Sequence, residues 1–153
     1  MDKTDWALLD AVQSAGNLTL SDLGRAIGLS AAPTQRRLRA LERAGWIDRY
    51  VALLNEAALG LDFVVFVQVR LDRATTEAIG AFEALVEELA SVVECHRTTG
   101  DFHYLMKVVA ADRTGFASVA HRLGDQPSVA DLRYTVSMQK TKQTTRLPIP
   151  KSW

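Results

Sequence analysis

Polar and basic side chains that could bind nucleic acid are concentrated between residues 34 and 39. This segment contains one threonine, one glutamine and three arginines. A guanidinium group can donate two hydrogen bonds to guanine, and a glutamine amide can pair with adenine. The segment therefore indicates a helix face that contacts a DNA major groove, formed by Thr34, Gln35, Arg36, Arg37 and Arg39.

The stretch Leu20–Arg39 predicts the two helices that must position these side chains. Gly28 can adopt the positive φ that ends a helix, so it separates a first helix from a second. Ser30 is placed to cap the second helix, and Pro33 falls in its first turn, where a missing N–H costs nothing. This arrangement is a helix-turn-helix, whose second helix enters the DNA groove. The same pattern also occurs in all-α cores with solvated arginines, so the local sequence leaves that alternative open.

The charge distribution is local rather than global. The chain carries 18 basic and 18 acidic residues, so its net charge indicates no partner. Residues 30–49 contain five arginines against two acidic residues, a net charge of +3, whereas residues 1–22 contain one lysine against four aspartates, a net charge of −3. Phosphate binding needs a local basic patch of this kind rather than a basic protein overall.

The composition is that of a globular chain. Its 153 residues are enough for one domain or two small ones, and 48% of them are hydrophobic, which is enough to form cores. The single cysteine, Cys95, excludes an internal disulfide and suits a reducing compartment. The amino end lacks the pattern of a signal peptide, and no apolar run reaches transmembrane length. We therefore expect a cytoplasmic protein.

The sequence pattern changes near residue 54, which divides the chain into two predicted domains. Before this point, a first helix that ends at Gly16-Asn17 completes a three-helix bundle. Residues 46–53 alternate partly in the manner of a strand and resemble a wing. After it, strands and helices alternate in the order β-α-β-β-α-β, followed by a polar tail. The predicted class is α+β, with a helix-turn-helix domain over residues 1–53, a hinge over residues 54–60 and a ferredoxin-like domain over residues 61–153.

The first strand of the second domain is apolar on both sides. Val65 and Val67 fall on one side of it, and Val64 and Phe66 fall on the other. Two helices can cover only one face of the sheet, so the second face needs another partner. This pattern predicts a homodimer formed by contact between two sheets.

Motifs spread over nearly the whole chain carry a family resemblance. They are Asp10, LGRAIGLS (residues 23–30), RRLRALERAGWI (36–47), YVALLN (50–55), ECH (94–96), GDFHYLMK (100–107) and KQTTRL (142–147). Together they resemble the Lrp/AsnC (leucine-responsive/asparagine-responsive, feast-famine) family of transcription regulators. The resemblance implies a winged helix-turn-helix domain and a C-terminal ferredoxin-like domain of the RAM or ACT-like type.

The resemblance also implies how the chain would bind DNA. Residues 31–44 would form the recognition helix, and two-fold dimers would bind palindromic operators and assemble further into octamers. Some of the implied side chains, Arg39 in particular, could contact phosphates alone or pair with Glu42. The implied DNA-contacting set is Ser30, Ala32, Thr34, Gln35, Arg36, Arg37 and Arg39.

The same resemblance places a small-molecule effector, commonly an amino acid, between neighbouring dimers. The family has an aspartate, suited to an α-ammonium group, where this chain has His103. Because a neutral imidazole is a weaker counter-charge, we expect an effector that is not a simple neutral amino acid, or no effector. An ordinary loop histidine bound to Asp101 or Asp131 is the alternative. The implied effector set is Thr98, Thr99, Gly100, Asp101, His103, Tyr104, Arg113, Val136 and Ser137.

Other functions have weaker support in the sequence. Cys95, His96 and His103 lack a metal-ligand spacing, and no nucleophile–base pair or phosphate loop is present, so we expect no metal, cofactor or catalytic site. A siroheme-decarboxylase-like enzyme shares the two-domain layout and would use His96, His103 and Arg97. An effector-free protein that organises DNA in the nucleoid is the third alternative.

Overall fold

The computed structural model describes residues 1–14 and 17–149 of the chain. The chain divides into two compact units, which we call the amino-terminal unit (residues 1–53 and 142–149) and the sheet domain (residues 54–141). The elements in chain order are α1 (Lys3–Ser14), α2 (Leu20–Ile27), α3 (Ala31–Arg43), β1 (Phe63–Leu71), α4 (Thr76–Glu88), β2 (Val92–Arg97), β3 (Tyr104–Ala110), α5 (Arg113–Gly124) and β4 (Val129–Val136).

The three helices of the amino-terminal unit enclose a small apolar core. Leu8, Leu23 and Leu41 are buried, and each comes from a different helix. Thr19 and Asp22 start α2 with a reciprocal capping box, in which each side chain accepts a hydrogen bond from the backbone N–H of the other. These contacts confirm the predicted three-helix arrangement.

Two glycines shape the turn between α2 and α3. Gly28 has a φ of 71° and ends α2, as the sequence predicts. Gly24 lies against the turn, since a Cβ at this position would stand only 2.5 Å from the carbonyl oxygen of Leu29. The N–H of Leu29 in turn donates to the carbonyl oxygen of Gly24 at 2.8 Å. A side chain at residue 24 would therefore force the turn to open.

The segment that follows α3 differs from the predicted strand. Residues 47–55 form no strand within the described chain. The side chains of Tyr50, Val51, Leu53 and Leu54 are 52–70% exposed. The alternating pattern therefore produces an exposed apolar surface here, because no second strand lies beside it to complete a ladder.

The sheet domain has the predicted β-α-β-β-α-β order. Its strands lie in the order β2-β3-β1-β4, and every neighbouring pair is antiparallel. The first strand begins at Phe63, two residues after the predicted start of the domain at residue 61. Both helices pack on one face of the sheet, where the core includes Val65, Val67, Val69, Leu71, Phe82, Tyr104, Met106, Val108 and Leu123.

The opposite face of the sheet carries no helix among the described residues. Phe66 and Leu105 lie on this face and are 40% and 37% exposed. The guanidinium of Arg133 stands 4.6 Å from the ring centroid of Phe102, which is buried beneath it. The part of this face at Phe66 and Leu105 is therefore apolar and half-exposed, as expected from the two-sided pattern of β1.

The tail after β4 differs from the predicted domain assignment. Residues 61–153 were expected to form one domain, whereas residues 142–149 belong to the amino-terminal unit. The physical reason is an ion pair between Arg146 and Asp10 and a paired amide contact between Leu147 and Gln13. The predicted end of the first helix at Gly16 and the last four residues lie outside the described residues. No described helix is long and apolar enough to cross a membrane.

Candidate nucleic-acid interface and effector site

A row of basic side chains occupies the exposed face of α3. Ala32, Arg36, Arg39 and Arg43 follow one another at intervals of four, three and four residues, so they share one side of the helix. The guanidinium groups of Arg36 and Arg39 have no ion-pair partner in the part of the chain that the structure describes. Gln35 lies half-buried at the border of this row. The row can therefore meet an anionic ligand without breaking an existing ion pair.

Glu42 binds the segment after α3 rather than Arg39. Its carboxylate accepts a hydrogen bond from the hydroxyl of Tyr50 at 2.9 Å. The Nε of Arg43 donates to the carbonyl oxygen of Arg39 at 3.2 Å. The pairing of Arg39 with Glu42 that the sequence left open is thus not formed.

Thr34 is removed from the predicted DNA-contacting set, because its side chain is fully buried. Its hydroxyl donates to the carbonyl oxygen of Ser30 at 2.8 Å and lies under α2, close to Gly24. Ser30 stands at the N-cap position and is exposed, but its side chain makes no capping hydrogen bond, contrary to expectation. The start of α3 is held by backbone and Thr34 contacts instead.

Arg37 is directed toward α1 and not toward the exposed row. Its Nη1 donates to Asp2 Oδ2 at 2.8 Å and to Asp5 Oδ1 at 2.7 Å. Hydrogen bonding to Asp5 and then Asp2 raises the pKa of the Arg37 guanidinium. The N–H of Asp5, followed by Arg37, lowers the pKa of the Asp2 carboxyl. The only signal for this contact in the sequence is the pair of aspartates at and just before the start of α1, and the sequence does not show that they face α3.

The predicted effector turn, residues 98–103, is closed by its own backbone. The N–H of Thr98 donates to the carbonyl oxygen of His103, and its hydroxyl donates to the carbonyl oxygen of Phe102, both at 2.8 Å. Gly100 has a φ of 108°, a conformation that favours glycine. Asp101 is exposed at the tip. The turn therefore presents a fixed, solvent-facing backbone.

His103 is held by the backbone of β1 and not by Asp101 or Asp131. Its N–H donates to the carbonyl oxygen of Val69 at 2.8 Å, and its Nδ1 accepts from the N–H of Leu71 at 3.0 Å. An accepting Nδ1 carries no proton, so the neutral ring has its N–H at Nε2. His103 in this geometry offers a hydrogen-bond donor and no negative charge.

Tyr104 is a core residue, which corrects its place in the predicted effector set. Its side chain is 2% exposed and packs on Phe82, with ring centroids 4.6 Å apart. Its hydroxyl donates to Glu83 at 2.9 Å. Burial, followed by this hydrogen bond, raises the pKa of Tyr104 to about 12.

The remaining predicted effector residues fall into two separate groups within one chain. The turn lies beside the end of β1, where Val69 pairs with Tyr104. Val136 pairs with Val65 near the start of β1, and the N–H of Ser137 donates to Val64. Four residues of strand rise at about 3.3 Å each, so the groups stand more than about 13 Å apart. Arg113 is the first residue of α5 and follows β3 closely in the chain. The end of β3 pairs with the start of β1, so Arg113 belongs to the same group as Val136 and Ser137. One chain therefore does not assemble the predicted pocket.

The described residues contain no group of three or more histidine, cysteine or acidic side chains that could hold a metal ion. Cys95 is exposed on β2, and partial burial followed by the nearby Glu83 and Glu87 raises the pKa of its thiol. His96 is also exposed, 3.8 Å from Glu94. A thiol with a raised pKa is a poor ligand and a poor nucleophile.

Both units match known sequence families. Residues 1–48 match the model of a winged helix-turn-helix DNA-binding domain, and residues 64–147 match the model of the Lrp/AsnC ligand binding domain. The leucine-responsive regulatory protein of Salmonella typhimurium is 36% identical over 150 residues, which cover 97% of this chain and 92% of the relative. The protein of the same name from Escherichia coli K12 is 35% identical over the same shares.

Solved structures show the same architecture over almost the full length. An AsnC family transcriptional regulator from Agrobacterium tumefaciens superposes with a TM-score of 0.91 at 33% identity, covering 97% of both chains. A transcriptional regulator from Neisseria meningitidis in complex with L-Met gives a TM-score of 0.92 at 33% identity, covering 97% of this chain and 96% of that one. The chain therefore belongs to the Lrp/AsnC family, and it is a transcriptional regulator with a winged helix-turn-helix DNA-binding domain and a C-terminal ligand-binding domain.

Proposed function

We propose that this regulator reads DNA through Ala32, Gln35 and Arg36, with Arg39 on the phosphate backbone. The observation that carries the proposal is the exposed row on α3, in which the guanidinium groups of Arg36 and Arg39 point to solvent without an ion-pair partner among the described residues. An arginine near the start of a recognition helix can reach guanine, whereas one a turn later meets phosphate. Arg37 is excluded from base contact because Asp2 and Asp5 hold it.

The salt dependence of binding separates these two roles. The DNA upstream of the regulator's own coding sequence is the first probe, measured by fluorescence anisotropy at several salt concentrations. Arg39→Ala is expected to weaken binding to specific and random DNA alike and to reduce the salt slope by about 1. Arg25→Ala is the control, because Arg25 lies on α2 and pairs with Asp22. An unchanged slope in Arg39→Ala would remove this residue from the interface.

The regulator acts as a homodimer through the open face of its sheet. Phe66 and Leu105 expose apolar surface there, and the exposed segment at Tyr50–Leu54 offers a second apolar strip. Phe66→Asp is expected to shift the mass measured by sedimentation from dimer to monomer, while Ala84→Asp, at an exposed position of α4 and so away from that face, leaves it unchanged. A monomeric wild-type protein at micromolar concentration contradicts the proposal.

Further assembly of dimers, to an octamer, would complete the effector site. Within one chain the turn at residues 98–103 and the group of Arg113, Val136 and Ser137 stand at opposite ends of β1. A pocket that uses both groups needs the turn of one subunit and the second group of another. The same mass measurement, made with and without a ligand, tests this assembly.

The effector is a ligand other than a simple neutral amino acid. The similar regulator from Neisseria meningitidis was solved with L-Met, so the chemical class is close to amino acids. The exposed backbone N–H groups around Gly100 suit a carboxylate. His103, with Nδ1 occupied by Leu71, offers only an N–H donor and cannot balance an ammonium group. A ligand with a second acidic or acceptor group fits this donor better.

A gain-of-function variant tests the effector proposal. Titration calorimetry with a pool of neutral amino acids is expected to show no binding to the wild type and to show binding to His103→Asp. Asp101→Asn is the control, since it changes charge at the tip of the turn without touching residue 103. Tight, stoichiometric binding of a neutral amino acid to the wild type would overturn this proposal and leave the DNA-binding role intact.

The chain acts as a regulator without enzymatic activity, in the cytoplasm and associated with the nucleoid. The tetrapyrrole enzyme considered above would need converging histidines. His96 is exposed on β2, and His103 is tied to β1. Visible absorbance after incubation with a tetrapyrrole checks this point, since uptake of colour would favour the enzyme.

A further inference from the structure

The C-terminal tail binds α1 through four hydrogen bonds. The Nη2 of Arg146 donates to both carboxylate oxygens of Asp10 at 2.8 Å. Gln13 and Leu147 form a reciprocal pair, in which the Gln13 amide donates to the Leu147 carbonyl and accepts from the Leu147 N–H, each at 2.9 Å. The primary amide of Gln13 thus satisfies both the N–H and the carbonyl oxygen of one backbone residue. The helix therefore binds an arginine side chain and the backbone of the next residue.

The two residues that bind the tail also contact each other. Asp10 and Gln13 lie one helical turn apart on the same side of α1. The Nε2 of Gln13 stands 3.4 Å from Asp10 Oδ1, so the amide and carboxylate also contact each other. An isolated exposed ion pair is weak. Here the carboxylate of Asp10 binds the guanidinium of Arg146 while the amide of Gln13 binds the next backbone residue, so two neighbouring residues of the tail are held together.

The chain just before the tail is fixed at a second point, inside the sheet domain. The Nζ of Lys140 binds the carboxylate of Glu56, which lies in the hinge predicted over residues 54–60. Glu56 also lies 3.8 Å from Lys107 Nζ on β3, and this largely buried lysine is 3.7 Å from Glu94 on β2. Lys140 is thus attached to the hinge and the sheet, six residues before the arginine that is attached to α1.

We propose that residues 142–149 are a strap that provides a second connection, besides the hinge, through which the sheet domain acts on the recognition helix. The chain leaves the amino-terminal unit after residue 53 and returns to it at residue 142. Asp10, which holds the strap, lies on the same helix as Asp5, which holds Arg37 of α3. Arg146 is therefore a positioning residue for DNA binding and makes no DNA contact.

The strap has a measurable consequence for DNA binding. Two connections leave a DNA-binding unit fewer orientations than one, so the second unit of a dimer finds its half-site at a higher effective concentration. Releasing the strap lowers the preference for a palindrome over a single half-site and leaves half-site binding nearly unchanged. This consequence rests on the proposed dimer. If the dimer is wrong, the wild type itself shows no preference for the palindrome.

The experiment compares Arg146→Ala, Asp10→Asn and the control Lys142→Ala in the full-length protein. Lys142→Ala removes the same charge from the same tail as Arg146→Ala does. The two variants therefore lose the same nonspecific electrostatic attraction to DNA. Asp10→Asn removes a negative charge, which by electrostatics alone would strengthen DNA binding. We expect Arg146→Ala and Asp10→Asn both to reduce the palindrome preference, by about two- to fivefold, and Lys142→Ala to leave it unchanged.

Hydrogen exchange of the tail amides reports the docking itself. In the wild type and in Lys142→Ala, the peptide containing Leu147 is expected to be protected, and in Arg146→Ala and Asp10→Asn it exchanges faster while the sheet peptides stay unchanged. The swapped pair Asp10→Arg with Arg146→Asp is expected to recover protection and the palindrome preference. The proposal is overturned if the wild-type tail is unprotected, or if Arg146→Ala and Lys142→Ala alter the preference equally.

Discussion

The two units of this regulator differ in the size of the apolar core that each buries. The sheet domain buries a cluster of eleven core residues between four strands and two helices, whereas the amino-terminal unit buries a cluster of three leucines. Both units also carry ion pairs, and in the smaller unit Arg37 binds Asp2 and Asp5 while Arg146 binds Asp10. Apolar burial is insensitive to salt, while exposed ion pairs are screened by it. Because its apolar core is smaller, we expect the stability of the amino-terminal unit to depend more strongly on its ion pairs, and so on salt, than that of the sheet domain.

The largest effect is expected from truncation of the sheet core. Phe82 is fully buried on α4 and packs on Tyr104, so Phe82→Ala is expected to cost about 3–5 kcal/mol in the free energy of unfolding. Denaturant unfolding measures the loss, and hydrogen exchange locates it in the sheet domain. Val93→Ala, at a position 52% exposed, is the control with little effect. Equal loss of protection in α1–α3 would contradict the contrast between the two units.

A change in the helix-turn-helix turn is expected to have the next largest effect. Gly24→Ala places a Cβ 2.5 Å from the Leu29 carbonyl oxygen, so the turn must open at a cost of about 1–3 kcal/mol. Gly80→Ala is the matched control, because a Cβ on this α4 glycine meets nothing within 4 Å and helix propensity favours alanine by about 1 kcal/mol. Hydrogen exchange of α2 and α3 should rise in the first variant alone.

The Arg37 contact separates stability from DNA affinity. Arg37→Ala removes the ion pairs of α3 with Asp2 and with Asp5 of α1, and it is expected to destabilise the amino-terminal unit modestly, with a larger loss at low salt. Arg39→Ala removes no ion pair in the described chain and should leave stability unchanged. Thermal unfolding at two salt concentrations compares the variants. A salt-independent loss would mean that Arg37 acts by packing alone.

Near neutral pH the smallest effect is expected from the titration of Tyr104, which changes the stability only at high pH. Burial and the Glu83 hydrogen bond raise its pKa from the ordinary value of 10 to about 12, so the folded state favours the neutral phenol. The resulting stabilisation is complete below pH 10 and is lost as the pH rises through 12. The free energy of unfolding, measured with denaturant, should fall more steeply across this pH range in the wild type than in Tyr104→Phe, which has no titrating group at residue 104. Parallel pH profiles would show that Tyr104 titrates normally.

The sequence predicts the elements of both units because their signals are local. Gly28, the apolar strands and Asp112, which caps α5 through the N–H of Gly115, all act within a few residues of their own position. The strand of the predicted wing fails because a ladder needs a partner strand, which the described residues do not supply.

The functional residues are only partly predictable, for a related reason. Helical periodicity correctly puts Arg36 and Arg39 on the surface, but it cannot show that Thr34 turns under α2 or that Arg37 meets two aspartates more than thirty residues away. The burial of Tyr104 and the binding of the strap to α1 are not visible in the local sequence either. Contacts between residues distant in sequence depend on tertiary packing, and no local pattern encodes them.

The assignment of the DNA-reading face is tested most directly by comparing Arg36→Ala with Arg37→Ala. For each variant, fluorescence anisotropy at one salt concentration gives the ratio of the affinity for specific DNA to the affinity for DNA of random sequence. If the exposed row of α3 reads DNA, Arg36→Ala lowers this ratio by about ten- to a hundredfold, since a bidentate base contact contributes about 1–3 kcal/mol of discrimination. Arg37→Ala, whose wild-type side chain binds Asp2 and Asp5, then keeps the ratio near that of the wild type. A ratio that survives in Arg36→Ala and collapses in Arg37→Ala would contradict the assignment of the DNA-reading face.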